Sequence, residues 1–126
     1  MVFDEHQTKQ FQNEVAYKIF NSMVRRYPFS HSQTEDFLPK QIIDLILNNW
    51  PNDDEFISNL DAGIVTTKNK DADHAYNFRY QLLISEQDDL QRIKGKKYQI
   101  WEYFSQFLRS PQIIEAFLSL YSPIIF

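Results

Sequence analysis

The sequence is poor in the residues that build flexible loops and reactive sites. It contains only 2 Gly and no Cys. Phosphate-binding loops need several glycines, and thiol catalysis and cysteine-ligated metal sites need cysteine, so these chemistries and their cofactors are not expected. Without cysteine there is also no disulfide framework. This favours a reducing compartment, and we predict a cytoplasmic protein.

Long apolar runs are missing as well. A membrane-spanning helix needs roughly 20 consecutive apolar residues, and the apolar runs of this chain are far shorter. The N-terminal segment has Asp4 and Glu5 where a secretory signal has basic and then apolar residues, so we expect no signal peptide. We therefore predict no membrane partner.

Aromatic side chains are what the chain has in excess. It has 11 Phe, 7 Tyr and 2 Trp, and it is 43% hydrophobic and 24% charged over 126 residues. These values are typical of a single globular domain, which we predict to span residues 1–126. The net charge is −4, with the acids concentrated in the first half, and an acidic chain is a poor non-specific ligand for nucleic acid.

Apolar residues at three- and four-residue steps predict a largely helical fold. From Phe11 to Tyr27 they indicate a first helix. Arg25 and Arg26 are predicted to lie in its last turn, where positive charge suits the helix dipole. We expect Pro28 to stop this helix, because the residue before a proline disfavours the helical conformation.

The next residues predict a polar loop over 29–36 and a second helix that begins at Pro39. This second helix is apolar around most of its circumference, so we expect it to be buried. Asn52 and the three acids after it predict the start of a short third helix, in which the carboxylates cap the helix rather than form an acid–base pair.

Two more helices are predicted towards the end of the chain. The first runs to Leu108 and places Trp101 in the core. The second begins at Ser110 and Pro111, and its inward face is predicted to hold Ile113, Ile114, Phe117, Leu118 and Tyr121. The fold is thus predicted to be mainly α, a bundle of about five helices.

The hydrophobic period changes within residues 64–84. Tyr76, Phe78 and Tyr80 alternate with polar residues, which is the two-residue period of a strand. The β-branched run 64–67 is suited to pairing with that strand, so we predict a small β-hairpin over 64–84. The alternative is a helix capped by Asp73.

The aromatic excess indicates a protein-binding surface. If one core cannot enclose every ring, the surplus forms an exposed patch, which is typical of protein interfaces. The residues expected outside the core are Phe29, Phe37, Trp50, Ile124, Ile125 and Phe126. The alternative is that they seal the ends of the bundle. We predict a non-enzymatic interaction module, such as an adaptor, inhibitor or immunity protein, that binds a protein partner or itself.

A basic segment with neighbouring rings supports a second hypothesis, a nucleic-acid-binding module. Its residues are Arg92, Lys94, Lys96, Lys97, Tyr98 and Trp101. Cations neutralise phosphates, and flat rings stack on unpaired bases. The competing interpretation is a solvated turn followed by a helix whose aromatic residues belong to the core.

The three histidines, His6, His31 and His74, are not spaced as a metal-binding motif requires. His31 follows Arg25 and Arg26 at a distance that resembles the Arg-x4-6-His signature of HEPN-type ribonucleases, over residues 25–31. The resemblance implies that an arginine and a histidine act on an RNA phosphodiester and its 2′-hydroxyl. A ribonuclease is therefore the third hypothesis, and its structural alternative is a basic helix end followed by a surface loop.

Overall fold

The computed structural model describes residues 2–58 and 80–125, the last two of them by their backbone alone. Five α-helices lie in these ranges: α1 (Glu5–Phe20), α2 (Lys40–Asn48), α3 (Gln87–Leu90), α4 (Lys96–Leu108) and α5 (Pro111–Ile125). Two antiparallel strand pairs accompany them: β1 (Val24–Arg25) with β2 (His31–Ser32), and β3 (Ile57–Ser58) with β4 (Tyr80–Gln81). The predicted mainly helical fold, with about five helices and a small hairpin, is confirmed.

The chain forms two compact units. The first unit comprises residues 1–48 and 103–126, and the second comprises residues 49–102. The boundary between them falls inside α4. Of the helices in the described ranges, none combines the length and the apolar character needed to cross a membrane.

The core of the first unit is built on the packing of α1 against α5. Each helix contributes one apolar stripe whose residues recur at helical spacing, as the sequence pattern predicts. The buried apolar residues of this unit are Val15, Ile19, Ile42, Ile46, Phe104, Phe107, Ile113 and Ala116. The rings of Phe104 and Phe107 stack nearly parallel, with centroids 6.4 Å apart. Aromatic packing therefore stabilises this core together with aliphatic burial.

α1 ends at Phe20 rather than at Tyr27, because polar side chains close it early. Asn21 Nδ2 donates to the Tyr17 carbonyl at 2.8 Å, and Ser22 Oγ donates to the Lys18 carbonyl at 2.9 Å. The Tyr17 carbonyl also accepts a hydrogen bond from the Asn21 backbone amide, whereas the Lys18 carbonyl receives the Ser22 hydroxyl in place of the Ser22 amide, which donates to the Ile19 carbonyl. The prediction that Arg25 and Arg26 occupy the last helical turn is wrong.

A short β-hairpin takes the place of the predicted helix end and of part of the predicted loop. Val24 pairs with Ser32, and Arg25 pairs with His31, in antiparallel register. Ser32 Oγ and the Tyr121 hydroxyl of α5 are hydrogen-bonded at 2.5 Å. The hydroxyls of Ser22 and Thr34 also bond to each other across the base of the hairpin. The hairpin is therefore fastened at its base to the helical body of the first unit.

α2 and α5 begin where the sequence predicts, but each leaves apolar residues in solvent. α2 follows Pro39, and only Ile42 and Ile46 are buried, whereas Leu47 on another side of the helix is exposed. The prediction that this helix is buried around most of its circumference is therefore wrong. On α5, Ile113 is buried, while the predicted inward residues Ile114, Phe117 and Leu118 are exposed.

α5 begins after Ser110, as predicted, and continues past Pro123. Ser110 Oγ accepts a hydrogen bond from the Ile113 amide at 3.3 Å, which caps the helix. Pro123 has no N–H for the Ser119 carbonyl one turn earlier. The Ser122 hydroxyl donates to that carbonyl at 3.2 Å instead, so the helix keeps its last turn.

The second unit differs from the prediction around Asn52. A single 3-10 turn, Asp53–Glu55, replaces the predicted third helix, and the chain then enters β3. β3 pairs with β4, which lies inside the predicted hairpin segment. Residues 64–79, which include the predicted partner strand and His74, lie outside the described residues.

Trp101 is the largest buried side chain of the second unit, so truncating it tests how that unit is packed. It is 6% exposed, and its indole N–H donates to the Asn49 carbonyl at 2.8 Å. We expect Trp101→Ala to lower the free energy of unfolding by about 3–5 kcal/mol, because it opens a cavity and removes this hydrogen bond. Urea denaturation followed by circular dichroism measures the change.

Trp50→Ala is the matched control, because Trp50 is 54% exposed and contacts Trp101 only edge-on, with ring centroids 5.6 Å apart. We expect its cost to stay near 1 kcal/mol, the size of one aromatic pair contact. Equal costs for the two variants would contradict the placement of Trp101 in the core.

Candidate functional site

The predicted basic segment covers the turn between α3 and α4 and the first two turns of α4 in the second unit, and part of its charge is used internally. Lys97 Nζ donates to the Trp50 carbonyl at 3.0 Å and to Asn52 Oδ1 at 3.1 Å. Arg92 lies 3.4 Å from the Asp89 carboxylate, which is an ion-pair distance without hydrogen-bond geometry. Lys94 and Lys96 are exposed. Two of the four cations are therefore exposed to solvent.

The rings of this segment do not form a stacking surface. Trp101 is buried, so its faces are closed to a nucleic-acid base. Tyr98 is half-buried, and its hydroxyl accepts a hydrogen bond from Gln87 at 2.7 Å. A hydrogen bond with Glu102 raises the pKa of the Tyr98 phenol above its usual range, while the bond from Gln87 acts in the opposite direction. The structure supports the interpretation of this segment as a solvated turn followed by a helix with a core-facing tryptophan.

The basic segment is held by a carboxylate that sequence reasoning interpreted only as a helix cap. Glu55 is 2% exposed, and its two oxygens accept hydrogen bonds from the backbone amides of Asn52 and Lys94, each at 2.6 Å. Charge-assisted bonds of this length are strong, and they offset the cost of burying a carboxylate. Glu55 therefore ties the 3-10 turn to the turn before α4.

A second buried carboxylate in the same unit has the same role. Asp89 accepts a hydrogen bond from the Leu83 amide at 2.7 Å. One of its oxygens is thus occupied by a backbone donor, and the other lies 3.4 Å from the Arg92 guanidinium. Among the described residues, no three His, Asp or Glu side chains converge as a metal ion would require. The carboxylates of the second unit thus organise its loops.

A cleft of the first unit lies beside α1 and the start of α5. It has a volume of about 580 Å³, and Tyr103 and Phe107 line its apolar side. Tyr103 shares a 2.8 Å hydrogen bond with the Thr8 hydroxyl, and burial raises the pKa of the Tyr103 phenol. Lys9 and Glu5 also line it, and no histidine is present among the described lining residues.

The structure brings together the arginine and the histidine of the 25–31 motif, though not at a helix end. Arg25 and His31 are directly opposite each other on β1 and β2. Both line a shallow groove of about 500 Å³ with Met23, Gln33 and Glu35. This arrangement places a guanidinium and an imidazole on one strand face. The sequence signal was their spacing, but the hairpin that joins them was not predicted.

The predicted partner-binding residues have different exposures. Phe29 and Trp50 are exposed, whereas Phe37 is half-buried. The side chains of Ile124 and Ile125, and the whole of Phe126, lie outside the described residues. Exposure alone does not define a site, because many monomeric proteins carry scattered apolar side chains on their surface.

Sequence reasoning missed a continuous apolar stripe on α5. Ile114, Phe117 and Leu118 are 46%, 47% and 53% exposed, and their three- and four-residue spacing puts them on one side of the helix. We call these three residues the α5 face. Ile113 and Ala116, which lie on the adjoining side of the helix, are buried. α5 therefore carries a broad apolar surface, of which the side with Ile113 is buried and the α5 face is exposed.

Comparison with known proteins adds no relative. The chain matches no protein-family model, and no curated protein and no solved structure is significantly similar to it.

The buried Glu55 carboxylate gives a direct test of the second unit's organisation. We expect Glu55→Ala to lower the free energy of unfolding by about 2–4 kcal/mol, because two backbone amides lose their acceptor, at roughly 1–3 kcal/mol for each donor left unsatisfied. Asp54→Ala is the matched control, since it removes an exposed carboxylate of the same turn. Chemical denaturation of both variants measures the difference, and equal costs would refute the bridging role.

Proposed function

We propose that this protein is a non-enzymatic protein-interaction module that binds a partner through the α5 face. The observation that carries the proposal is the exposed group of Ile114, Phe117 and Leu118 on a helix whose adjoining apolar side is already buried. A helix needs only the buried part of such a surface to pack into a small domain. The additional exposed large side chains have a cost in solubility, which a binding role explains.

The composition of the α5 face suits the centre of an interface. Burying one large apolar side chain contributes roughly 1.5–3 kcal/mol, and aromatic residues are enriched where partners meet. Glu115 on the same helix is exposed and polar, as the rim of an interface is. The expected partner therefore presents an apolar groove or helix with a polar edge.

A similar pair on α2 supports the same function. Ile43 and Leu47 are one helical turn apart, and both are exposed. They belong to the first unit, as the α5 face does. A partner that contacts more than one helix would bury more area than α5 alone offers, as stable complexes require. A second copy of the chain is one such partner.

The proposal is tested by placing a charge on the α5 face. We expect Phe117→Glu to weaken binding at least about tenfold, because a desolvated carboxylate is opposed by an apolar partner surface. Ser119→Glu adds the same charge to an exposed polar position of the same helix and is expected to change binding little.

Two measurements use these variants. Light scattering over a wide concentration range detects self-association, and affinity capture from nuclease-treated extract of the source cells detects another protein. The proposal requires that Phe117→Glu lose the dimer or the captured protein while Ser119→Glu retains it. Equal behaviour of the two variants, or a wild-type chain that stays monomeric and captures nothing, would overturn it.

A further inference from the structure

The β1–β2 hairpin lies in a stretch of the chain without a carboxylate. Residues 21–34 contain Arg25, Arg26 and His31 and no acid, although the whole chain carries a net charge of −4. Neither arginine forms an ion pair with any residue that the structure describes, and both are exposed. A local positive charge that is not used within the fold is available for an anionic ligand.

The tip of the hairpin presents two aromatic rings to solvent. Tyr27 is 89% exposed and Phe29 is 67% exposed, which are high values for side chains of this size. The base of the hairpin is held by the Ser32–Tyr121 hydrogen bond and the strand pairing. The backbone that carries the rings is thus already ordered. Stacking a ligand on the rings therefore costs little conformational entropy of the chain.

The chemistry of His31 fits a ligand that offers hydrogen bonds. Its Nδ1 lies 2.7 Å from the Phe29 carbonyl, and a carbonyl oxygen only accepts, so Nδ1 carries a proton. Nε2 is therefore the nitrogen left for a ligand: it accepts a hydrogen bond when the ring is neutral and donates one when the ring is charged. Arg25, its cross-strand neighbour, supplies a guanidinium suited to a phosphate.

Cations beside exposed rings, on one hairpin, are the combination that single-stranded nucleic acid requires. We propose that the β1–β2 hairpin binds single-stranded nucleic acid, with bases stacked on Tyr27 and Phe29 and phosphates held by Arg25 and Arg26. The site is distinct from the α5 face, and it does not depend on the proposed protein-binding function. Glu35, which also lines the groove, opposes the phosphates and moderates the affinity.

The expected binding has a measurable salt dependence. We expect wild-type protein to bind fluorescein-labelled oligo-dT and oligo-U of about twelve nucleotides at low ionic strength, measured by fluorescence anisotropy. Each phosphate contact contributes about −0.7 to the slope of log K against log salt concentration for a single strand. Arg25→Ala should therefore reduce the magnitude of that slope by about 0.7.

Loss of a ring should weaken binding without changing the slope. Tyr27→Ala is expected to lower the affinity at least about fivefold, since one base loses its stacking partner. Two matched controls lie in the second unit: Lys94→Ala removes an exposed cation, and Tyr80→Ala removes an exposed ring. Glu35→Gln, which removes the one carboxylate among the described residues that line the groove, should tighten binding about twofold.

The results separate the hairpin from other sites. The proposal is supported if Arg25→Ala and Tyr27→Ala weaken binding while Lys94→Ala, Tyr80→Ala and Phe117→Glu do not. It is overturned if the wild type binds neither oligonucleotide, or if Lys94→Ala and Tyr80→Ala weaken binding as much as the hairpin variants. It is also overturned if the oligonucleotides do not bind and Tyr27→Ala instead abolishes protein capture, because the hairpin is then a protein-binding surface.

Discussion

Two side-chain hydrogen bonds, from Asn21 to the Tyr17 carbonyl and from Ser22 to the Lys18 carbonyl, end α1 and determine the surface of the first unit. Had the helix continued, Arg25 and Tyr27 would lie about half a helical turn apart on its surface. Because it stops, the chain reverses in a hairpin whose tip carries Tyr27 into solvent and whose strands place Arg25 beside His31. The early end of α1 thus gives an exposed hairpin in place of a longer helix.

The two units use their charged side chains in different ways. In the second unit, Glu55 and Asp89 accept hydrogen bonds from backbone amides, and Lys97 is bonded to backbone and side-chain oxygens. Charges used in this way stabilise loops and are not free for a ligand. In the hairpin of the first unit, Arg25 and Arg26 have no such role within the described residues. Lys94 and Lys96 of the basic segment are also exposed, so the hairpin is distinguished by its exposed rings rather than by a larger number of exposed cations.

The parts of the fold that follow from local chemistry are predictable from the sequence. The starts of α2 and α5 were predicted because Pro39, Ser110 and Pro111 act on their immediate neighbours. Trp101 was correctly placed in a core by helical periodicity. The early end of α1 was missed because the apolar pattern continues through Tyr27, and the capping by Asn21 and Ser22 interrupts a helix without interrupting that pattern.

The candidate sites were harder to predict, because they depend on which surfaces the fold leaves uncovered. Periodicity shows that α5 is rich in apolar residues, but it does not distinguish the stripe with Ile113 from the stripe with Phe117. Contacts between distant residues, such as that of Glu55 with Lys94, follow from chain geometry rather than from local propensity. The pairing of Arg25 with His31 likewise requires the strand register, which spacing in the sequence does not supply.

Gly95 lies in the turn before α4, and lack of space is not what favours glycine at this position. Its φ is +70°, and a β-carbon built on it would meet no atom within 4 Å. What disfavours other residues is therefore the left-handed backbone conformation, in which L-alanine would be strained by about 1–2 kcal/mol. Its mirror image, D-alanine, favours this backbone conformation and would also reduce the freedom of the unfolded chain. A chemically synthesised protein with D-alanine at this position should therefore be more stable than the natural chain.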